Sequence, residues 1–179
     1  MDFHNSRTYQ NLQTAFHGEA IANTKYTLYG IKAREEGFEQ LGNIFDATAK
    51  NEREHARMWL RLLEGGELPV TLSNLRDSYH NEKREWTSTY RDYAATARSE
   101  GYHEIAALFD GVAEIERYHD NRFRRLEWNI INEQMFCKDD QVYWQCLKCG
   151  NVIYGMCAPK VCPVCGNHQG FYQTEYQNY

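Results

Sequence analysis

Proline is scarce in this chain, and cysteine is missing from its first 136 residues. The three prolines are Pro69, Pro159 and Pro163, so the first 135 residues hold a single one, in a predicted linker. No apolar run approaches the roughly 18 residues that a membrane helix needs. The N-terminus, MDFHNSRTYQ, lacks the basic and apolar pattern of a signal peptide. A basic excess is lacking too: the formal net charge is −5, which argues against a nucleic-acid partner, because phosphate binding needs a basic surface. These absences set the expectation of a cytoplasmic protein with no membrane segment. At 179 residues there is room for one ordinary domain and a small appendage.

All six cysteines lie from Cys137 onward, and four form two Cys-x-x-Cys pairs. Without a secretory signal that pattern reads as metal binding rather than a disulfide framework. It also sets a boundary: residues 1–136 form the main domain and 137–179 the appendage.

The main domain carries an internal repeat. Glu52 recurs as Glu116 and His55 as His119, an interval of 64 in both. The same interval links Ala33 with Ala97, Arg34 with Arg98, Gly37 with Gly101, Phe45 with Phe109 and Asp46 with Asp110, and reaches back to Tyr26/Tyr90 and Tyr29/Tyr93. A duplicated helical hairpin follows, each half bringing a carboxylate and an imidazole on one helix face. Di-metal carboxylate sites in four-helix bundles are built in this way.

Four long helices fit residues from about 7 to 135, with Gly37 and Gly101 ending the first and third. The second is expected from Phe38 to Glu64 and the fourth from Tyr102 to Gln134, while the third starts between Thr71 and Ser78. The second helix has the seam Leu41, Phe45, Thr48, Glu52, His55, Trp59, Leu62; the fourth has Ile105, Phe109, Val112, Glu116, His119, Phe123, Leu126. Both keep the spacing of a face that points into a bundle, so each Glu-x-x-His sits at core positions. The first and third helices add Glu19 and Glu82, with Glu85 one turn on. Here the repeat slips, because Lys83 stands 64 positions after Glu19. Glu82 shares the seam, and a local helix irregularity would absorb the one-residue offset.

A lone Glu-x-x-His is an ordinary surface pattern, as Glu54, Glu114 and Glu127 are ordinary solvated glutamates. Two copies on matched apolar seams are different, because burying an unpaired carboxylate costs several kcal/mol. Glu19, Glu52, Glu82, Glu85 and Glu116 together carry five negative charges when ionised. Two divalent ions offset four of them and two trivalent ions all five. Mixed carboxylate and imidazole donors suit iron or manganese, with zinc an alternative. The chain is also rich in tyrosine, with 13. Tyr26, Tyr90 and Tyr102 fall near the inner faces, where a ring packs in the core and its hydroxyl finds a carboxylate or orients a metal ligand.

Cys146-Leu-Lys-Cys149-Gly150 and Cys162-Pro-Val-Cys165-Gly166 form two knuckles. Four thiolates so spaced make a tetrahedral site for zinc or a single iron. Tyr143, Trp144, Tyr154, Phe171 and Tyr172 are candidates for the module's small core. Cys137 and Cys157 are read as free thiols. Zinc would make the module structural, whereas iron would make it a one-electron carrier.

These residues resemble the rubrerythrin family. The resemblance rests on Phe16-His-Gly-Glu19, Asn51-Glu-Arg-Glu-His55, Glu82-x-x-Glu85-Trp86-Thr87, Glu116-x-x-His119 and the rubredoxin-like knuckles. It implies an all-α ferritin-like four-helix bundle followed by a rubredoxin-like domain. It further implies two non-haem irons held by Glu19, Glu52, His55, Glu82, Glu85, Glu116 and His119, and one iron in the tetrathiolate site of Cys146, Cys149, Cys162 and Cys165. The implied activity is reduction of hydrogen peroxide to water, with one iron exchanging ligands between the His55 and Glu85 positions. Electrons would come from an external rubredoxin or an NAD(P)H-dependent reductase. Ferroxidase or iron-handling activity, and a zinc-ribbon binding protein, are the alternatives.

Assembly follows from lengths. About 15 residues of helix past His119 place the cysteine module roughly 22 Å along from its own di-metal ligands. A head-to-tail homodimer would bring the module of one chain to the bundle of the other. Residues 65–72 span about 26 Å fully extended, short of the roughly 33 Å needed to recross a bundle. A helix start near Ser78 removes that conflict; otherwise the dimer is domain-swapped.

Overall fold

The computed structural model describes residues 2–175. The chain divides between Pro69 and Val70 into two compact units. The first is an antiparallel hairpin of α1 (Arg7–Glu35) and α2 (Glu39–Leu63). The Ser6 hydroxyl caps α1 by accepting from the Tyr9 N–H. At the other end Gly37 has φ +84°, a left-handed conformation that glycine adopts without steric cost. The Gly37 N–H donates to Arg34 C=O and the Phe38 N–H to Ala33 C=O, closing the helix end. Gly30 lets the helices approach, since a Cβ there would lie 2.8 Å from Asp46 Oδ1.

The second unit opens with α3 (Thr71–Arg84), a π-helical turn (Glu85–Thr89) and α4 (Tyr90–Ser99), which pack antiparallel on α5 (His103–Ile131). The turn from α4 to α5 repeats the first unit's: Gly101 has φ +86°, and Tyr102 N–H donates to Ala97 C=O. Arg34 pairs with Asp46 in one hairpin and Arg98 with Asp110 in the other.

The third long helix is therefore not continuous, and the interruption accounts for the slipped repeat. Tyr26 and Tyr90 keep the 64-residue interval while Glu19 and Glu82 do not. The extra residue must fall between Glu82 and Tyr90, where the π turn accommodates one more residue than an α-turn does.

Small residues fill the hairpin interfaces. Ala33, Ala49 and Ala56 are buried in the first, and Ala94, Ala97, Ala106 and Ala113 in the second. The bulkier seam residues Leu41, Leu62 and Ile105, expected at core positions, are about half exposed. Among the described residues no helix is long and apolar enough to cross a membrane.

The cysteine module holds a three-stranded antiparallel sheet in the order β2-β1-β3: β1 (Cys137–Cys146), β2 (Val152–Cys157) and β3 (Tyr172–Thr174). Trp144, Cys146, Ala158, Cys162 and Tyr172 are its buried centre, with Phe136, Val142, Ile153, Cys165 and Phe171 packed around them. The Trp144 indole N–H donates to Gly155 C=O. Tyr143 and Tyr154, expected in that core, instead pair ring to ring on the exposed face of the ribbon. The strand alternation that points Trp144 inward points Tyr143 outward.

Cys137 and Cys157 depart from the sequence expectation. They are joined by a disulfide, not free. The β1–β2 register sets Cys137 opposite Cys157, yet it shifts between Cys137 and Val142. That irregularity is invisible in the linear spacing.

Candidate metal centres

Each hairpin gathers one carboxylate–imidazole triad. In the first, His55 Nδ1 lies 2.9 Å from Glu52 Oε2 and 3.7 Å from Glu19 Oε2. In the second, His119 Nδ1 lies 2.7 Å from Glu116 Oε2 and 3.8 Å from Glu82 Oε2. Helix periodicity brings each Glu and His together three residues apart, and the facing helix supplies the other carboxylate. The triads are thus two copies of one arrangement, each with donor atoms close enough to share an ion.

The second triad carries the electrostatic signature of a cation site. Burial, the hydrogen bond with Glu116 and that group's charge push Glu82 up to about 7, with His119 opposing and Glu85 adding to the rise. Burial and the charges of Glu85, Glu116 and Glu82 also push the Tyr90 hydroxyl up. Glu85 stands on the π turn outside the triad, half-buried and close enough to act on both groups. Tyr90 packs against Tyr93 and Phe109, as Tyr26 does against Tyr29 and Phe45.

One group escaped the sequence reading. Asp120 is 4% exposed and follows His119 directly. It accepts from the Trp86 indole N–H at 3.0 Å and from Arg124 Nε at 2.5 Å, and Arg124 stacks over the Tyr79 ring. Trp86 lies in the π turn beside Glu85, so Asp120 anchors the irregular segment to α5. The equivalent position in the first hairpin is Ala56, and that asymmetry was the available signal. Asp120→Ala should cost about 2 kcal/mol in urea unfolding by stranding the indole donor. A loss below about 0.5 kcal/mol would fall within ordinary surface effects and contradict the anchor.

In the cysteine module the two knuckles are near copies. Cys146 N–H donates to Asn151 C=O and Gly150 N–H to Cys146 C=O; Cys162 N–H donates to Asn167 C=O and Gly166 N–H to Cys162 C=O. The cross-knuckle sulfurs lie 3.8 Å apart for Cys146 and Cys165, and 3.7 Å apart for Cys149 and Cys162. A tetrahedron with metal–sulfur bonds of about 2.3 Å has edges of about 3.8 Å, so the four thiols fit one ion. The Tyr172 hydroxyl holds Cys162 down to about 6, and the Asn167 side chain lowers Cys165. Cys149 accepts a backbone hydrogen bond from Asn151, yet burial and the neighbouring thiols push it up to about 12. Four mutually repelling thiolates need the cation that such a site holds.

The rubrerythrin family model matches residues 10–127. The chain belongs to the rubrerythrin family. Rubrerythrin of Porphyromonas gingivalis is 37% identical to it, over 97% of this chain and 92% of the relative. Rubrerythrin-1 of Clostridium acetobutylicum is 38% identical over 97% of both. Rubrerythrin of Nitratidesulfovibrio vulgaris is 37% identical over 94% of both. The family is a di-iron, peroxide-related group of oxidoreductases with a rubredoxin-like domain. The fold class is accordingly a ferritin-like four-helix bundle, its helices supplied as two hairpins, followed by a rubredoxin-like metal knuckle. The cofactors of this rubrerythrin are a non-haem di-iron pair and one tetrathiolate iron, and the triads and the four cysteines fit them.

Proposed function

We propose that this rubrerythrin is a cytoplasmic peroxidase that reduces hydrogen peroxide to water, with electrons relayed through its own tetrathiolate iron. The observation that carries this reading is the duplicated triad, with Glu85 as an additional carboxylate, in one chain with the four-cysteine site. When bound, the iron pair supplies the two electrons that peroxide reduction needs, and the tetrathiolate iron restores them singly from a rubredoxin or an NAD(P)H-dependent reductase.

The protein's residues have separable roles in this proposal. Glu19, Glu52, Glu82, Glu116, His55 and His119 hold the iron pair; Cys146, Cys149, Cys162 and Cys165 hold the third iron. His55 and Glu85 would each be available to an iron as a donor that can be taken up or released. In support, the His55 side chain is 48% exposed, the most of any triad member. Glu85 sits on the π turn, where the helix has a residue to spare. Tyr90, pushed up by burial and by its carboxylate neighbours, keeps its proton on Oη at neutral pH and so remains a hydrogen-bond donor. Tyr26 is proposed for the same role in the other half. A cytoplasmic setting agrees with four thiols that must stay reduced.

We further propose that residues 1–136 serve as the di-iron domain and 137–179 as the electron-transfer domain, and that two copies form a domain-swapped, head-to-tail dimer. Ferritin-like bundles join their halves by one long crossover. Here α2 ends at Leu63 and α3 starts at Thr71, leaving seven residues that span at most about 25 Å. The 25 residues of α2 measure about 37 Å. The half-exposed Leu41, Leu62 and Ile105 also call for a further apolar surface. Light scattering should report a dimer, and a monomer with full iron loading would rule the swap out.

A visible spectrum of the anaerobically reduced, iron-loaded protein, before and after one equivalent of peroxide, tests the activity. Ferric-thiolate colour should return quickly in the parent and slowly in Glu52→Ala and His119→Ala. Equal rates in all three would place peroxide reduction elsewhere. Zinc in the cysteine site, with no colour, would favour ferroxidase or binding roles.

A further inference from the structure

The six cysteines separate into four and two. Cys146 and Cys162 are 1% and 2% exposed, and no two knuckle sulfurs lie within bonding distance. Cys137 is the first residue of β1 and Cys157 the last of β2, with Cα atoms 4.0 Å apart and sulfurs bonded. Immediately beside them Ala158 N–H donates to Phe136 C=O at 2.8 Å. That backbone bond holds the two residues face to face whether or not the sulfurs are joined, so opening the pair requires no rearrangement of the ladder. Cys157 is exposed and Cys137 half-buried, so small oxidants and dithiols reach them. A permanent disulfide belongs to an oxidising compartment, yet the same short module must keep four other thiols reduced to hold its metal.

We infer that Cys137 and Cys157 form a reversible dithiol–disulfide couple, closed by hydrogen peroxide and reopened by a dithiol reductant of the thioredoxin class. The Cys157 thiolate attacks one peroxide oxygen and the O–O bond breaks. The departing hydroxide takes a proton and leaves as water, with a sulfenic acid on Cys157. The Cys137 thiolate then attacks that sulfur, forming the S–S bond and releasing the second water. In total, two thiols and one peroxide become one disulfide and two waters. In the reverse direction the reductant's two thiols become its own disulfide, and both protein thiols regain their protons. Closed, the bond encircles residues 138–156, which contain the first knuckle's Cys146 and Cys149 and exclude Cys162 and Cys165. Oxidation thus ties the base of the ribbon that carries half of the metal site.

The inference takes its oxidant from the peroxidase reading, but its test reads thiols rather than turnover. Full-length protein loaded with zinc, which cannot reduce peroxide, is alkylated with iodoacetamide and weighed intact at three stages. After dithiothreitol two alkyl groups should add, after one equivalent of peroxide none, and after fresh dithiothreitol two again. Metal-held thiolates remain silent throughout. Cys137→Ser should add a single group after dithiothreitol and form no internal disulfide on peroxide treatment. Two groups still adding after peroxide would overturn the inference, as would a disulfide that dithiothreitol fails to open. The iron-loaded protein run in parallel reports peroxide consumption separately, so failure of the peroxidase reading leaves the thiol count decisive.

Discussion

Cys162→Ala should unfold the cysteine module while leaving the helical hairpins intact. The module's buried centre contains five residues, and two of them, Cys146 and Cys162, belong to the four-cysteine cluster proposed to hold the metal. Without the metal, the remaining core is Trp144, Ala158 and Tyr172, too little to order roughly 40 residues. Structural tetrathiolate or mixed sites contribute on the order of 10 kcal/mol to modules of this size. Cys162 is 2% exposed and paired with the Tyr172 hydroxyl, so its loss takes that hydrogen bond as well as the buried sulfur. Limited proteolysis should cut the variant within 137–175 at a rate at least about tenfold above the parent, with helical circular dichroism preserved. Val164→Ala, at a residue 68% exposed in the same knuckle, should behave like the parent. Resistance of the Cys162 variant equal to the parent's would show that the sheet stands without its metal.

Glu82→Gln should have opposite effects on the metal-free and the loaded protein. Glu82 is raised from 4.5 to about 7 by burial and by Glu116. Such a carboxyl binds its proton more tightly when folded than when unfolded. Its contribution favours folding at low pH and is withdrawn as pH rises from about 4.5 to 7. The metal-free parent should therefore melt lower as pH is taken from 5 to 8, and the glutamine variant should lose most of that slope. The gain at the upper end is on the order of 2 kcal/mol, since the Glu82 side chain keeps 21% of its surface in contact with solvent, which screens the penalty. In the loaded protein the same substitution removes a proposed ligand, and the proposed peroxide turnover should fall by on the order of 100-fold. Melting curves of the chelated protein at several pH values, set beside initial rates, provide the check. A variant less stable than the parent at pH 8 would mean that the carboxylates do not repel across the site. Such a gain in stability with a loss of activity marks a group kept for chemistry.

Much of both centres is legible in the linear sequence. Glu52/His55 and Glu116/His119 each lie three apart on one helix, so local periodicity alone makes them neighbours. The glycines at 37 and 101 announce the hairpin turns because those positions take positive φ. Sequence spacing likewise marks the two knuckles, since each closes on itself through hydrogen bonds spanning no more than five residues. The one-residue slip at Glu82 shows that an irregularity exists, and its place is bounded by Tyr90.

Sequence alone determined the helical hairpins, the duplicated Glu-x-x-His pairs and the two cysteine knuckles, because each rests on contacts within one element or across one tight turn. Tertiary structure alone decided three other features. It put the π turn at Glu85–Thr89, where Trp86 reaches Asp120 on another helix. It turned Tyr143 and Tyr154 out of the module's core. It also joined Cys137 to Cys157, two residues that a sequence reading leaves unpaired. Each of these depends on which residue of one element comes to face which residue of another. That register is set by packing and by shifts within the ladder, and these leave no periodic trace along the chain.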